Sequence, residues 1–423
     1  MKTTNVAQKA TSSEPSRPTS SSRPGVLVNV ERAKKLMDRE DLDGLIASTL
    51  ENTFYMSGSW SEGLEQHPYD DESYVVATRD ALAAGVIVLS VGAVGQALEA
   101  YSTLQRIVTH GKHFREVAPD VTLNHEEEWV KAVAVDRTPK PSGFDALADS
   151  IIQCGLAESS VGVDELGSNR QLLAKLAERF PKMRVKPAFH LFREIRMVKT
   201  AEEQDRMVRA LRGSEAAIRT VGEALREGVT ELEMFKVANE AIVQADCLPL
   251  WSSVRFGRNM AYGTISDATP LKKGDSIWFD IGCTYLGYRS DIGRTFSFGE
   301  PSAKQRRLYD ACKAGQSRAL ELLKPGVTAG HVFAKAVERV RESGIPEYKR
   351  RHVGHGIGIE WYELPRMVPD SDFVIDLGTM LEVETPYYEL GFGGAMLEDL
   401  AVVTPNGAKL FSELDRDLGV FGT

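Results

Sequence analysis

Residues Ser276–Phe298 read SIWFDIGCTYLGYRSDIGRTFSF. Two apolar runs flank a polar, glycine-containing centre, the pattern of two antiparallel strands joined by a tight turn. Asp280 lies inside the first run, where an unpaired carboxylate is costly. Asp291 lies beyond the turn containing Gly287. Their midpoint falls between Tyr285 and Leu286, so a hairpin makes the two aspartates roughly cross-strand neighbours on one face. Opposed side chains have Cβ atoms ~4.5–5.5 Å apart, and two bare carboxylates at that spacing raise one another's pKa. A divalent cation between them removes the conflict. Taken singly, a strand aspartate beside a glycine reads more readily as a turn cap than as a ligand.

The pattern recurs at Leu381–Val403, LEVETPYYELGFGGAMLEDLAVV. Glu384 and Glu398 have their midpoint at Gly391, beside Gly393 and Gly394, which are natural turn residues. A second hairpin presents a second facing pair, although each glutamate alone fits a solvated strand face. Between the hairpins, Arg351–Pro365 reads RHVGHGIGIEWYELP. His355 sits among glycines, so nothing bulky separates its imidazole from an ion; a satisfied buried histidine is the plainer reading of it alone. Four acidic groups from two hairpins, joined by one imidazole, point to a site for two hard cations.

Outward from this core, the chain has two textures. Residues 1–24 are polar, rich in Ser, Thr and Pro, and too poor in apolar surface to offset their ordering entropy, so a disordered tail is expected. Residues 25–190 alternate strands (Gly44–Ala47, Ser73–Thr78, Gly85–Val91, Val130–Val135) with helices (Val30–Arg39, Leu147–Cys154, Arg170–Arg179), which predicts a small α/β domain. Residues 191–423 open with Thr200 and Glu203 as a capping box. Helices are expected at Ala201–Leu225, Glu231–Ala245, Ser302–Leu323 and Ala329–Ser343. With its antiparallel strand pairs this half is α+β.

Of 423 residues, 51 are Lys or Arg and 60 are Asp or Glu, a formal net charge of −9. Such a surface repels polyanions, which argues against nucleic acid as a partner. Four cysteines at wide spacing (Cys154, Cys247, Cys283, Cys312) form neither a disulfide framework nor a zinc knuckle. The longest uncharged run, between Asp80 and Glu99, contains three glycines and falls short of the ~20 apolar residues of a membrane span. With no apolar signal core at the start, a cytoplasmic protein is expected.

The motifs DIG (280–282), SDIGRT (290–295), GHGIG (354–358), VET (383–385) and LED (397–399) resemble, in order, those of the pita-bread metallopeptidases. That family includes methionine aminopeptidase, Xaa-Pro aminopeptidase, prolidase and the non-metal relative creatinase. LDGLIAS (42–48) and ENTFYMSG (51–58) are similar to the start of the family's N-terminal domain, and REIRMVKTAEE (193–203) to the entry into its catalytic domain. The resemblance implies a creatinase-like N-terminal domain followed by a pita-bread catalytic domain. It implies five metal ligands, Asp280, Asp291, His355, Glu384 and Glu398, holding two divalent ions (Mn, Fe, Co or Zn). Four carboxylates and one imidazole favour Mn over a thiolate-rich zinc site. It also implies a homodimer acting on a small or short-peptide substrate, with hydroxide activated by the metals and Glu384 shuttling the proton.

Departures from the family pattern fall around the ligands rather than on them. The stretch NMAYGT (259–264) has no histidine where the family usually places one. Tyr362-Glu363 replaces His-Glu after GHGIG. Met396 stands where an arginine is common. Tyr362 can donate a hydrogen bond to an oxyanion; with Glu384, His355 and Glu363 it completes the set expected to act in catalysis. His352 and Arg366 are expected to bind substrate. The reading is a dinuclear-metal hydrolase cutting a small peptide or amide-like C–N bond. The altered surroundings keep a second reading open, a non-peptidase hydrolase or lyase on a small metabolite. A non-catalytic binding module is a third, disfavoured by the cost of converging carboxylates.

Overall fold

The structure, a computed structural model of the chain, describes residues 25–101, 103–104, 106–263 and 267–422. The expected disordered tail, residues 1–24, lies outside the described residues. The chain divides into two compact units, one ending at Phe192 and the other starting at Arg193.

In the first unit, α1 (Val30–Arg39), β1 (Gly44–Ala47), α2 (Leu50–Ser57), α3 (Glu62–Gln66), β2 (Tyr74–Thr78) and β3 (Val86–Ser90) come first. Then follow β4 (Arg106–His110), α4 (His125–Ala134), α5 (Gly143–Gln153), β5 (Ser160–Val163), α6 (Leu172–Arg179) and β6 (Arg184–Pro187). The strands form one sheet in the order β4-β3-β2-β1-β5-β6. β2 runs antiparallel to both of its neighbours and the other pairs are parallel. Ile46, Val76 and Val88 are fully buried in a core shared with Leu147 and Ile151 of α5 and Leu172 and Leu176 of α6.

One expected strand is a helix. Val130–Val135 lies largely in α4, whose start is fixed by a capping box between Asn124 and Glu127. Trp129 and Val133, one helical turn apart, supply its buried stripe. The β-branched content of that run yields to a cap and a 3.6-residue period.

Helix α7 (Phe189–Arg196) spans the division between the units. The second unit holds α8 (Ala201–Ala224), α9 (Glu231–Gln244), β7 (Leu248–Phe256), β8 (Ser276–Tyr285), β9 (Tyr288–Arg289), β10 (Ile292–Phe298), α10 (Ala303–Leu322) and α11 (Ala329–Glu342). The strands β11 (Gly354–Gly356), β12 (Glu363–Arg366), β13 (Met380–Glu384), β14 (Tyr387–Glu389), β15 (Gly393–Ala395), β16 (Glu398–Thr404), β17 (Gly407–Leu410) and β18 (Gly419–Phe421) complete it. Capping boxes open α8 (Thr200, Glu203), α9 (Thr230, Glu233) and α10 (Ser302, Gln305); each cap contributes about 1 kcal/mol. The main sheet runs β12-β11-β13-β16-β10-β8-β7, antiparallel at every step. Leu308 and Cys312 of α10 and Ala336 and Val340 of α11 pack with Val383, Ala401 and Val403 of the sheet in one buried cluster.

Both expected hairpins form. The first turns at Leu286 and Gly287, with φ of 45° and 83°, as a two-residue turn between paired Tyr285 and Tyr288. Positive φ at both central residues matches the right-handed twist of the flanking strands. Among the described residues, no helix is long and apolar enough to cross a membrane.

Candidate metal centre

Sheet register assembles the site. Asp280 on β8 pairs with Gly293 on β10, Gly293 pairs with Glu398 on β16, and Glu398 pairs with Glu384 on β13. Directly opposed residues point to the same side of a sheet, so one row across four strands carries three carboxylates over a central glycine. His355 on β11 pairs with Glu382, two residues before Glu384 and therefore on that same face. The pairing of Ile292 with Ile281 sets Asp291 across from Gly282. Asp280 and Asp291 are thus diagonal neighbours on one face rather than directly opposed. The offset arises because the turn centres on Leu286 and Gly287, one residue later than the midpoint of the two aspartates.

Asp291, His355 and Glu398 are buried, and one ligand-capable atom from each lies within 4.8 Å of the others. Asp280 and Glu384 lie on either side of Glu398 along the row. Desolvation, joined by the neighbouring Glu384, pushes the Asp280 carboxyl up to about 6, while a hydrogen bond from Trp251 pulls the other way. Asp291 is pushed well above the usual carboxylate range by burial and then by Asp280 and Glu382. Glu398 is raised likewise by burial, Asp291 and Glu384. The His355 Nδ1–H donates to the Gly356 carbonyl at 2.9 Å, which leaves the lone pair on Nε2. Desolvation lowers the His355 pKa to about 4, so the ring is neutral, the form that binds metals.

The residues suit divalent ions on two counts. The Asp291 Oδ1 and Glu382 Oε2 atoms are buried without a hydrogen-bond partner, a costly state that a cation relieves. The donors are carboxylates and one neutral imidazole, the set preferred by hard and borderline divalent metals.

The expected substrate-facing residues separate into two groups. The Tyr362 ring stacks on His355, with centroids 3.9 Å apart. The Arg366 guanidinium lies over Tyr362, 5.2 Å from its centroid. His352 Nδ1 lies 3.1 Å from Glu384 Oε1; desolvation and nearby arginines lower its pKa to about 4, so this contact involves a neutral ring. Glu363 stands apart from them. Its Oε2 accepts from Lys199 Nζ at 2.5 Å, and its Oε1 accepts from Arg196 Nε at 3.2 Å and from the Glu360 backbone N–H at 3.2 Å. It is fully buried, with both oxygens engaged by Lys199, Arg196 and the Glu360 backbone. We propose a bracing role for Glu363 in place of the catalytic one expected. Met396, at the place of the family's arginine, is buried with Met260 and Trp278.

Four neighbours of the centre went unread in the sequence. Trp251 Nε1 donates to Asp280 Oδ1 at 3.1 Å, and Trp361 Nε1 donates to Asp291 Oδ2 at 2.8 Å. Arg350 Nη2 donates to Glu384 Oε2 at 3.1 Å. Glu382 Oε1 accepts from the Asp291 backbone N–H at 3.3 Å. Only Glu382 carried a sequence signal, its two-residue spacing from Glu384 on a strand.

Residues 205–405 match the model of metallopeptidase family M24, and residues 29–198 match that of the creatinase/prolidase N-terminal domain. The chain is 32% identical over 230 residues to an Xaa-Pro dipeptidase of Lactobacillus helveticus, covering 53% of this chain and 62% of that protein. It is 32% identical over 232 residues to an Xaa-Pro dipeptidase of Pyrococcus furiosus, covering 54% and 66%. These matches span less than two thirds of each relative's length. The crystal structure of dipeptidase PepE from Mycobacterium ulcerans superimposes with a TM-score of 0.71 at 26% identity, over 93% of this chain and 96% of that one.

Proposed function

The chain belongs to metallopeptidase family M24, with a creatinase/prolidase N-terminal domain ahead of its pita-bread domain, and from that premise we propose that it is a metal-dependent hydrolase of small peptides. The observation that carries this reading is the convergence of Asp291, His355 and Glu398 within 4.8 Å, with Asp280 and Glu384 beside them. We assign these five residues as ligands for two divalent ions, with Mn²⁺ favoured by the donor set. Bound there, divalent ions polarise a carbonyl and make a water acidic enough to attack near neutral pH.

The chain's own groups do the rest. Glu384, tethered by Arg350, takes the proton of the attacking water and returns it to the departing amine. The Tyr362 hydroxyl donates to the oxygen that gains charge in the tetrahedral intermediate. His352 and Arg366, beside Tyr362, hold the substrate. An Xaa-Pro dipeptide is the default substrate, on the strength of the relatives' activities. We also propose a cytoplasmic homodimer, with residues 25–190 as the accessory domain and 191–423 as the catalytic one.

A second reading has its own observation. Tyr362 stands where the family usually has a histidine, and Met396 lies in an apolar cluster where an arginine is common. A pocket altered in this way suits a non-peptide C–N or eliminable substrate. Product analysis of the Mn²⁺-loaded protein decides. Release of free proline from Xaa-Pro dipeptides supports the peptidase; inertness toward them, with turnover of a small non-peptide amide or formation of an alkene, supports the second reading.

A further inference from the structure

Trp251 and Trp361 come from distant parts of the chain, yet their rings stack with centroids 4.2 Å apart and planes 23° from parallel. Each indole N–H ends on a different aspartate of the metal centre, at 3.1 Å on Asp280 and 2.8 Å on Asp291. An indole nitrogen is a donor only, so both contacts have one sense. Trp251 is seated over Gly282, its register partner, where an added Cβ would lie 2.0 Å from the ring. Any side chain there would dislodge it.

We infer that the Trp251–Trp361 stack is a positioning clamp that holds Asp280 and Asp291 in the rotamers divalent ions require, an inference that rests on the metal reading above. When both are ionised and no ion is bound, the two carboxylates repel and gain by rotating apart. Each N–H ties one oxygen of its aspartate and leaves the other for the cation; Asp291 Oδ1 is buried and unpartnered. The stack joins the two ties, so neither aspartate turns without dragging the other's indole. An arginine or lysine would hold a carboxylate as firmly, but its positive charge would oppose the incoming cations. Indoles orient the carboxylates while leaving their full negative charge to the metals.

Trp361→Phe and Trp251→Phe keep a stackable ring and delete only the N–H. Metal-free full-length wild type and variants are titrated with Mn²⁺ by calorimetry and with Co²⁺ by visible absorption. Outer hydrogen-bond partners of metal ligands are typically worth 10–100-fold in affinity. Each variant is expected to bind Mn²⁺ at least tenfold more weakly and to give a shifted Co²⁺ spectrum, with the metal-free melting midpoint kept. Wild-type Mn²⁺ affinity and Co²⁺ spectrum in both variants would overturn the clamp, as would affinity lost only in step with metal-free stability. If one variant fails to fold, the other decides by the same readings. Absence of metal binding in the wild type would instead sink the metal reading itself.

Discussion

Glu384 and Glu398 face each other as direct register partners across β13 and β16, both almost wholly buried. The row they belong to runs through Gly293 to Asp280. A sheet that stacks carboxylates in this way is under electrostatic load until cations arrive.

That load predicts a large stabilisation by metal. Mn²⁺ at a hundred times its dissociation constant should add about 2.7 kcal/mol to unfolding, read as a raised melting midpoint. Glu382→Gln keeps an acceptor for the Asp291 N–H and removes a buried acid that burial and then Asp399 push well above the usual carboxylate range. It should raise the metal-free midpoint and shrink the Mn²⁺-induced rise, and differential scanning calorimetry of both proteins checks this.

Glu363 predicts a different signature. Burial between Arg196 and Lys199 holds its pKa down to about 2, because those cations outweigh desolvation. A carboxyl with a depressed folded pKa contributes stability above its unfolded value of ~4.3 and loses it as pH falls toward 2. Glu363→Gln strips Lys199 of its carboxylate partner, leaves Arg196 to Glu360 and should cost roughly 3 kcal/mol at neutral pH. The deficit should narrow as pH drops from about 4.3 toward 2, as followed by urea melts across that range.

Gly282→Ala should expel Trp251 from its seat, since the new methyl would fall 2.0 Å from the ring. Overpacking of this kind costs about 1–3 kcal/mol. Tryptophan fluorescence should move as the Trp251–Trp361 stack opens, and the melting midpoint should fall.

Tyr362→Phe keeps the ring stacked on His355 and removes the hydroxyl. If that hydroxyl donates to the oxyanion, kcat/KM should fall about 10²–10³-fold while metal content stays at the wild-type value. Steady-state kinetics with metal analysis on one sample separates the two effects.

Much of this was legible because the signals are local. Alternating apolar residues and a glycine at the midpoint disclose a hairpin, and Gly391 set Glu384 against Glu398 without further help. Asp280 and Asp291 slipped to a diagonal because Leu286 adopts φ of 45° in the turn, a conformation no leucine advertises. The ion pairs of Glu363 were not legible because its partners, Lys199 and Arg196, lie 164 and 167 residues away in sequence. The Trp251 contact depends on β7 pairing past a register shift between Pro249 and Trp251. Such partners are chosen by tertiary packing, which spacing along one chain does not encode.

Metal content is the most direct test of the converging carboxylates. Full-length protein, stripped and reloaded with Mn²⁺, is desalted and analysed by plasma mass spectrometry beside Asp291→Asn and Glu398→Gln. Two ions per wild-type chain are expected, with one or none in folded variants. A wild type that retains no ion, or variants that retain as many as it does, would contradict the assigned centre.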